Sequence, residues 1–479
     1  MSTLKKFIKN TTILIFAKAL QPLITFVLII TISQKAGLEA FGAYGTIFKY
    51  IPIFQIIAGF GLRNLLAREI AQNRDSAHKL VVAATVIALA CAIVSAALMG
   101  FFVNILSNNP LVIYGTILAS ISMIAAGLAD VYEGVISGFE ELKQVGYALV
   151  AENAFRVGIS LLLIYNGYGI IAIVVVFVIG RFLKTLYLYF YIDKKLVKAT
   201  GKLDREFMYK LFKQAKTFAL ITVCVTIYWN IDGIMLESMR SATEVGYYSV
   251  AFRFMTLSMI LVHSYVSSLF PVISNYFEVS KPKFEIACRK SLRILLVAVI
   301  PIAIVLSLLA DKIILLLFKE AFLPSVKVLQ ILIWSLIPYA VSQIFAYALV
   351  AGKQQNIDLK INSIAMFSNI TLNFLLIPRF GFMGATIATV FSINIYVALQ
   401  IRYVFQELIS FSYKAIFNYG YKMILVGLLM AGSIIISRDL NLFVIIPIGL
   451  IVYFAGILSF GIINKNDRQM VISLVKGTL

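Results

Sequence analysis

The sequence predicts an all-α polytopic membrane protein of about fourteen transmembrane helices, and three observations predict it. Hydrophobic residues make up 61% of the 479 positions and charged residues 13%, with a mean hydropathy of +0.95. A soluble domain carries about 25% charged residues, so half that content leaves too little polar surface to meet water. Apolar runs long enough to cross a bilayer recur along the whole chain. Between them Lys and Arg gather on alternate connections, as they do when one set of loops faces the cytoplasm.

The first run, 11–33, follows MSTLKKFIKN. It is too long for a signal-peptide core and lacks a small-residue cleavage site, so it reads as a retained first helix. Spans follow at 41–62, 79–103, 111–133, 144–165 and 169–192, the last two joined by YNGYG. A second series lies at 217–237, 246–274, 291–310, 326–350, 359–377 and 382–403, with PRFGFMG at its final turn. Gly and Pro at these turns suit tight helical hairpins. A last pair falls at 421–437 and 442–463. Pro22 and Pro301 lie inside spans and are expected to kink helices 1 and 9.

With the N-terminus inside, both tails and the inner loops with their bordering span ends hold 29 of the 42 basic residues. The outer side holds seven: Lys35, Arg240, Lys312, Lys319, Lys327, Arg379 and Arg438. Both termini are therefore expected in the cytoplasm. The net charge of +20 is a topology signal and an attraction to anionic membrane lipids rather than a nucleic-acid footprint, because no basic module stands apart from the spans. The most basic loop, 193–216, reads as an interface-lying amphipathic helix and as a linker.

A repeat supports the linker reading. AFGAYGTIFKY (40–50) and EVGYYSVAFRF (244–254) align at an offset of 204, pairing Gly42 with Gly246, Tyr44 with Tyr248, Phe48 with Phe252 and Lys49 with Arg253. At an offset of 214, Gly138 pairs with Gly352 and Gly167 with Gly381, the difference falling in the connector 310–324. The chain is thus expected to hold an N-terminal six-helix bundle (1–192), the basic linker (193–216), a C-terminal six-helix bundle (217–403) and accessory helices 13 and 14 with the tail (404–479). An even helix count makes the two bundles a parallel, pseudo-two-fold repeat, a frequent transporter design.

Charges that interrupt the spans are the candidate functional residues. Lys49, Arg156 and Arg253 lie roughly 10–14 Å below the exterior ends of their helices at 1.5 Å per residue. A charge at such depth costs about 2.5–3.5 kcal/mol on insertion scales, so it should face a wet cavity or a partner. Lys49, Arg253, Arg156, Lys18 and Arg181 are the candidates for a cationic, substrate-binding cavity. Arg in particular suits phosphate or diphosphate. Lys18, Arg181 and Lys184 lie nearer the cytoplasm, where snorkelling and cavity lining both stay open. Asp232 and Glu152 are candidates for ion coupling or for charge partners, Asp232 toward Arg253. Asp130 and Glu133 read as interfacial, and Gly134-x-x-x-Gly138 as a packing stripe.

Cys91, Cys224 and Cys288 lie in or beside spans without paired spacing, so neither a disulfide nor a metal site is expected. No Walker A loop, HExxH or GxSxG motif appears, and no cofactor or catalytic residue is expected.

NFLLIPRFGFMGATIAT (373–389), VISGFEELKQ (135–144), LVAGKQQN (349–356) and IDGIML…VGYYSVAFRF (231–254) carry a family resemblance. Together they resemble the polysaccharide and O-antigen flippases of the multidrug/oligosaccharidyl-lipid/polysaccharide superfamily, across essentially the whole chain. The departure is GAT where that family often has GAA. The resemblance implies a non-enzymatic flippase of a bacterial inner membrane. Such a protein moves undecaprenyl-diphosphate-linked oligosaccharide, an O-antigen or capsule unit, from the cytoplasmic to the periplasmic leaflet by alternating access. It also implies a cationic cavity between two lobes and a lipid-facing groove at helices 13 and 14. Proton or sodium coupling, and partners among polysaccharide polymerase or chain-length proteins, stay open. The alternatives are a cation-coupled multidrug exporter of the same superfamily, an O-antigen polymerase or ligase, and a structural scaffold. The short outer loops and the buried basic residues weigh against them.

Overall fold

A backbone inside hydrocarbon has no water to bond and must satisfy its own N–H and C=O groups. The computed structural model describes residues 20–198, 204–409 and 413–462, with side chains outside 216–221 and 413–417, and among them every long element is an α-helix. These are α1 (Leu20–Lys35), α2 (Leu38–Gly59), α3 (Leu62–Gln72), α4 (Ala77–Leu106), α5 (Pro110–Ser120) and α6 (Ser122–Gly138). Then come α7 (Leu142–Tyr165), α8 (Ile170–Lys195), α9 (Arg205–Met239), α10 (Ala242–Val279), α11 (Lys281–Leu308) and α12 (Ala310–Leu317). The rest are α13 (Ser325–Leu332), α14 (Leu336–Ala351), α15 (Gln355–Phe380), α16 (Phe382–Glu407), α17 (Tyr413–Ile436) and α18 (Leu442–Ser459).

Twelve described helical stretches are long and apolar enough to cross a membrane. With α1 and α9 they match the fourteen expected spans in order, so the chain is a multi-pass, all-α membrane protein. Three spans are built from two helices each. α2 passes into α3 through Phe60 and Gly61, with φ of 45° and 73°, α5 into α6 at Ile121, and α13 into α14 through residues 333–335. The expected hairpin glycines behave as the turns require. Gly167 and Gly381 take φ of +82° and +56°, a region an L side chain rarely enters.

Both long connectors carry helix. Residues 205–216 do not form a separate interfacial helix. They are the first turns of α9, capped by Asp204, whose carboxylate accepts from the N–H groups of Glu206 (3.0 Å) and Phe207 (3.2 Å). The connector 310–324 is partly helical, holding α12, because its apolar face (Ile313 and Ile314) is buried.

By internal packing the described residues divide into two compact units, those up to Ser249 with Asn373–Phe382, and Val250–Leu372 with those from Met383 onward. In the first, α2 is the central helix, packed by α4, α5, α6 and α9. The Gly134-x-x-x-Gly138 stripe of α6 lies against α3, where added β-carbons would meet the Arg63 carbonyl at 2.7 Å and Ile70 at 2.7 Å. The repeat-matched Gly42 and Gly246 face each other. A β-carbon on Gly42 would strike the Ala242 carbonyl, and it would lie 3.0 Å from the Gly246 nitrogen. In the second unit α11 packs on α14 and α17, and α17 on α18. The apolar windows of α17 and α18 are each only 28% buried, which leaves most of their surface to lipid.

Gly42→Val and Gly246→Val are each expected to force α2 and α10 apart and to lower the melting temperature of the purified protein sharply. Gly158→Ala, in α7 with nothing within 4 Å of its added β-carbon, should be neutral or slightly stabilising. Thermal melts in detergent read the difference.

Candidate functional site

A buried ion pair joins α2 and α9 in the first unit. Lys49 Nζ donates to Asp232 Oδ1 at 2.6 Å, and the two residues are 8% and 2% exposed. The Gly233 N–H donates to the same oxygen at 2.8 Å, and the buried Tyr248 hydroxyl donates to Oδ2. The Lys49 ammonium also lies 5.0 Å from the centre of the Tyr248 ring. The sequence builds this locally. The Lys49 stem lies where a side chain on residue 233 would begin, with Cε 2.7 Å from that point, so only glycine after Asp232 lets the lysine reach. The repeat frame supplies both Lys49 and Tyr248. Asp232 thus pairs with Lys49, as α9 packs on α2.

A second cluster joins α3, α6, α7 and α8. Glu133, 3% exposed, accepts from Arg63 at 2.7 Å on one oxygen and from Lys184 at 3.0 Å on the other. Lys184 also reaches Glu152 at 3.4 Å, and Glu152 meets Arg181 Nε at 3.3 Å. Arg181 further donates to Gln55 Oε1 at 3.3 Å and lies over the Phe177 ring at 5.2 Å. Asp130, one turn before Glu133, presses its carboxylate on Gly59, where α2 ends. Alternating charges at these distances cancel most of one another's field, which is what a water-poor setting demands.

No group of three His, Cys, Asp or Glu side chains placed to hold a metal ion occurs among the described residues. Arg156 donates to Thr25 Oγ1 at 2.7 Å and to Asn153 Oδ1 at 2.9 Å, half-buried. Arg253 is half-buried on α10 in the second unit. Lys18 lies outside the described residues. The structure thus brings Lys49 to Asp232 and Arg181 to Glu152, and leaves Arg156 among neutral oxygens. In the second unit a mostly apolar cavity of about 990 Å³ runs along α11 and α17. Arg289, Lys290 and Arg293 line it, with the Arg293 guanidinium 3.8 Å from the Tyr419 ring centre.

Sequence reasoning passed over Arg63, placed Glu133 at the membrane interface and left Lys184 open between snorkelling and cavity lining. Glu133 and Lys184 are both buried, because each holds the other. A signal was available: Asp130 and Glu133 are three apart on one helix, Arg181 and Lys184 three apart on another. That spacing puts two like charges on one face of each helix, which calls for a complementary face elsewhere.

Lys49→Ala strands the Asp232 carboxylate and is expected to cost about 3–5 kcal/mol of stability, as broken buried pairs do. Replacing both partners, Lys49→Met with Asp232→Leu, should cost clearly less than Lys49→Ala. Unfolding in mixed micelles measures both.

A family model described as polysaccharide biosynthesis protein matches residues 7–277, and one described as MatE matches residues 218–375. The probable low-salt glycan biosynthesis flippase Agl15 of Haloferax volcanii is 23% identical over 485 residues, covering 99% of this chain and 98% of its own length. The capsular polysaccharide biosynthesis protein CapF of Staphylococcus aureus is 22% identical, covering 84% and 99%. Among solved structures, the lipid II flippase MurJ in an inward closed conformation matches with a TM-score of 0.78 at 17% identity, over 93% of this chain and 97% of its own. An inward-facing multidrug resistance MATE transporter of the MOP superfamily gives 0.68 at 14% identity, over 81% and 94%. At such identities the likeness is one of fold. The polysaccharide biosynthesis model covers more than half of the chain and agrees with the resemblance carried by residues 373–389, so the protein belongs to the polysaccharide biosynthesis protein family.

Proposed function

We propose that this protein is a flippase for a lipid-linked oligosaccharide. The observation that carries the reading is the likeness to a relative named as a glycan biosynthesis flippase over 99% of this chain and 98% of that one. In its specific form, the cargo is undecaprenyl-diphosphate-linked O-antigen or capsule repeat unit, carried from the cytoplasmic to the periplasmic leaflet of a bacterial inner membrane. Both termini are then cytoplasmic. The repeats 1–192 and 217–403 alternate access, with 193–216 as linker and 404–479 as accessory helices. Lys49, Arg253, Arg156, Arg181 and Lys18 hold the diphosphate. Lys49 and Arg181 exchange a carboxylate partner for phosphate as cargo enters. Arg156, which donates to the neutral oxygens of Thr25 and Asn153, is the cation most ready to receive it. The apolar cavity along α11 and α17, with its three basic residues, supports a long lipid chain with an anionic head.

A second reading, a cation-coupled drug exporter, is favoured by the MatE match over residues 218–375. Deleting the gene and following lipid-linked glycan across the membrane separates the two. Wild-type protein should restore export. Arg156→Ala or Arg253→Ala should lower it about tenfold or more, the loss of one charge-assisted hydrogen bond of about 1.5–3 kcal/mol. Undiminished surface glycan in the deletion strain, with cationic dyes retained until the gene is restored, would favour the exporter.

A further inference from the structure

Among the described residues, five Lys, Arg, Asp or Glu side chains are buried: Lys49, Glu133, Lys184, Asp232 and Glu237. Four of them form the pairs described above. Glu237, 5% exposed on α9, has no cationic partner. Its Oε1 accepts from the buried Ser107 hydroxyl at 2.7 Å, and its Oε2 has no hydrogen-bond partner.

The charged groups on the neighbouring elements are engaged elsewhere. From α2 comes Tyr50, 1% exposed, close enough to feel the carboxylate electrostatically, with its own hydroxyl unpartnered. Lys49 is turned to Asp232. From the α4–α5 connection comes Ser107, and beyond it Asn109, which donates to Glu39 at 3.3 Å. On α9 itself, Asp232 is paired and Arg240 points away, donating to the Ile377 carbonyl at 3.2 Å with Glu244 at 4.0 Å. α3 meets the opposite end of α9, where Phe60 stacks on Phe212 at 4.3 Å.

An ionised carboxylate stripped of water and of any cation is strongly disfavoured against its neutral acid. The packed arrangement therefore suits the neutral acid. We propose that Glu237 is a proton-binding site: it holds a proton on Oε2 in the packed arrangement and releases it to water when α9 parts from the α4–α5 connection. On release the O–H bond breaks, its electron pair stays on Oε2, and the carboxylate is left hydrated. Acid favours the packed arrangement and alkali the opened one. Asp232 and Glu152, expected from sequence as coupling residues, hold cations of the protein itself, whereas Glu237 has a lone pair to spare. The consequence for coupling rests on the transport reading, but the proton is read on the protein alone.

The test is infrared difference spectroscopy of the full-length protein in lipid nanodiscs, titrated from mildly acidic to mildly alkaline pH. Wild type should show a protonated-carboxyl carbonyl band that is lost as pH rises, and Glu237→Gln should lack it. Glu237→Gln mimics the neutral acid in shape and keeps the acceptor for Ser107, so it should fold. Its melting temperature should stay level where that of wild type falls with rising pH. A band unchanged in Glu237→Gln, or a wild-type pH slope retained by the variant, overturns the proposal. So does stabilisation of wild type by sodium at constant pH that Glu237→Gln abolishes, since a metal ion would then occupy the site. Normal titration at Glu237 in a protein that moves no glycan leaves the proton site standing and removes the flippase reading.

Discussion

Ionised side chains inside a bilayer must find their solvent within the protein. Water is absent there, and hydrocarbon returns nothing for a lost hydration shell. In the first unit this requirement decides which helices can be neighbours. Lys49 binds α2 to α9 through Asp232, and Glu133 ties α3 and α8 to α6. Glu152 adds α7 to α8. In each pair at least one partner is buried or nearly so, and removing either leaves the other without its counter-charge.

Such pairs contribute little net stability by comparison with apolar packing, since the attraction roughly offsets the desolvation of both charges. Their value lies in selecting one arrangement over others. A helix slipped by one turn would carry Lys49 about 5.4 Å from Asp232 and leave two unpaired charges. Small residues make the selected arrangement possible. Gly233 leaves room for the Lys49 stem, Gly59 for the Asp130 carboxylate, and Gly42 for the Ala242 carbonyl. Charge specifies the register and glycine permits the approach, and the two are found at the same crossings.

The same physics gives the cluster a capacity for change. A pair that nearly cancels can be exchanged for another pair at small net cost, provided the new partner arrives before the old one leaves.

The sequence by itself determined the fold class, the order of the spans and the family. These follow from hydropathy, from Lys and Arg asymmetry and from motifs such as NFLLIPRFGFMGATIAT, all of which are local in the chain. It also marked Lys49, Arg181, Glu152 and Asp232 as charges out of place. It could not assign partners, because Lys49 and Asp232 are 183 residues apart and Ser107 and Glu237 are 130 apart. Which face of a helix meets which neighbour is set by side-chain volume and close approach summed over the whole bundle, and only the tertiary structure holds that information. It decided that Glu133 and Lys184 are buried together, and that Glu237 alone among the buried charges of the described residues stands without a cation.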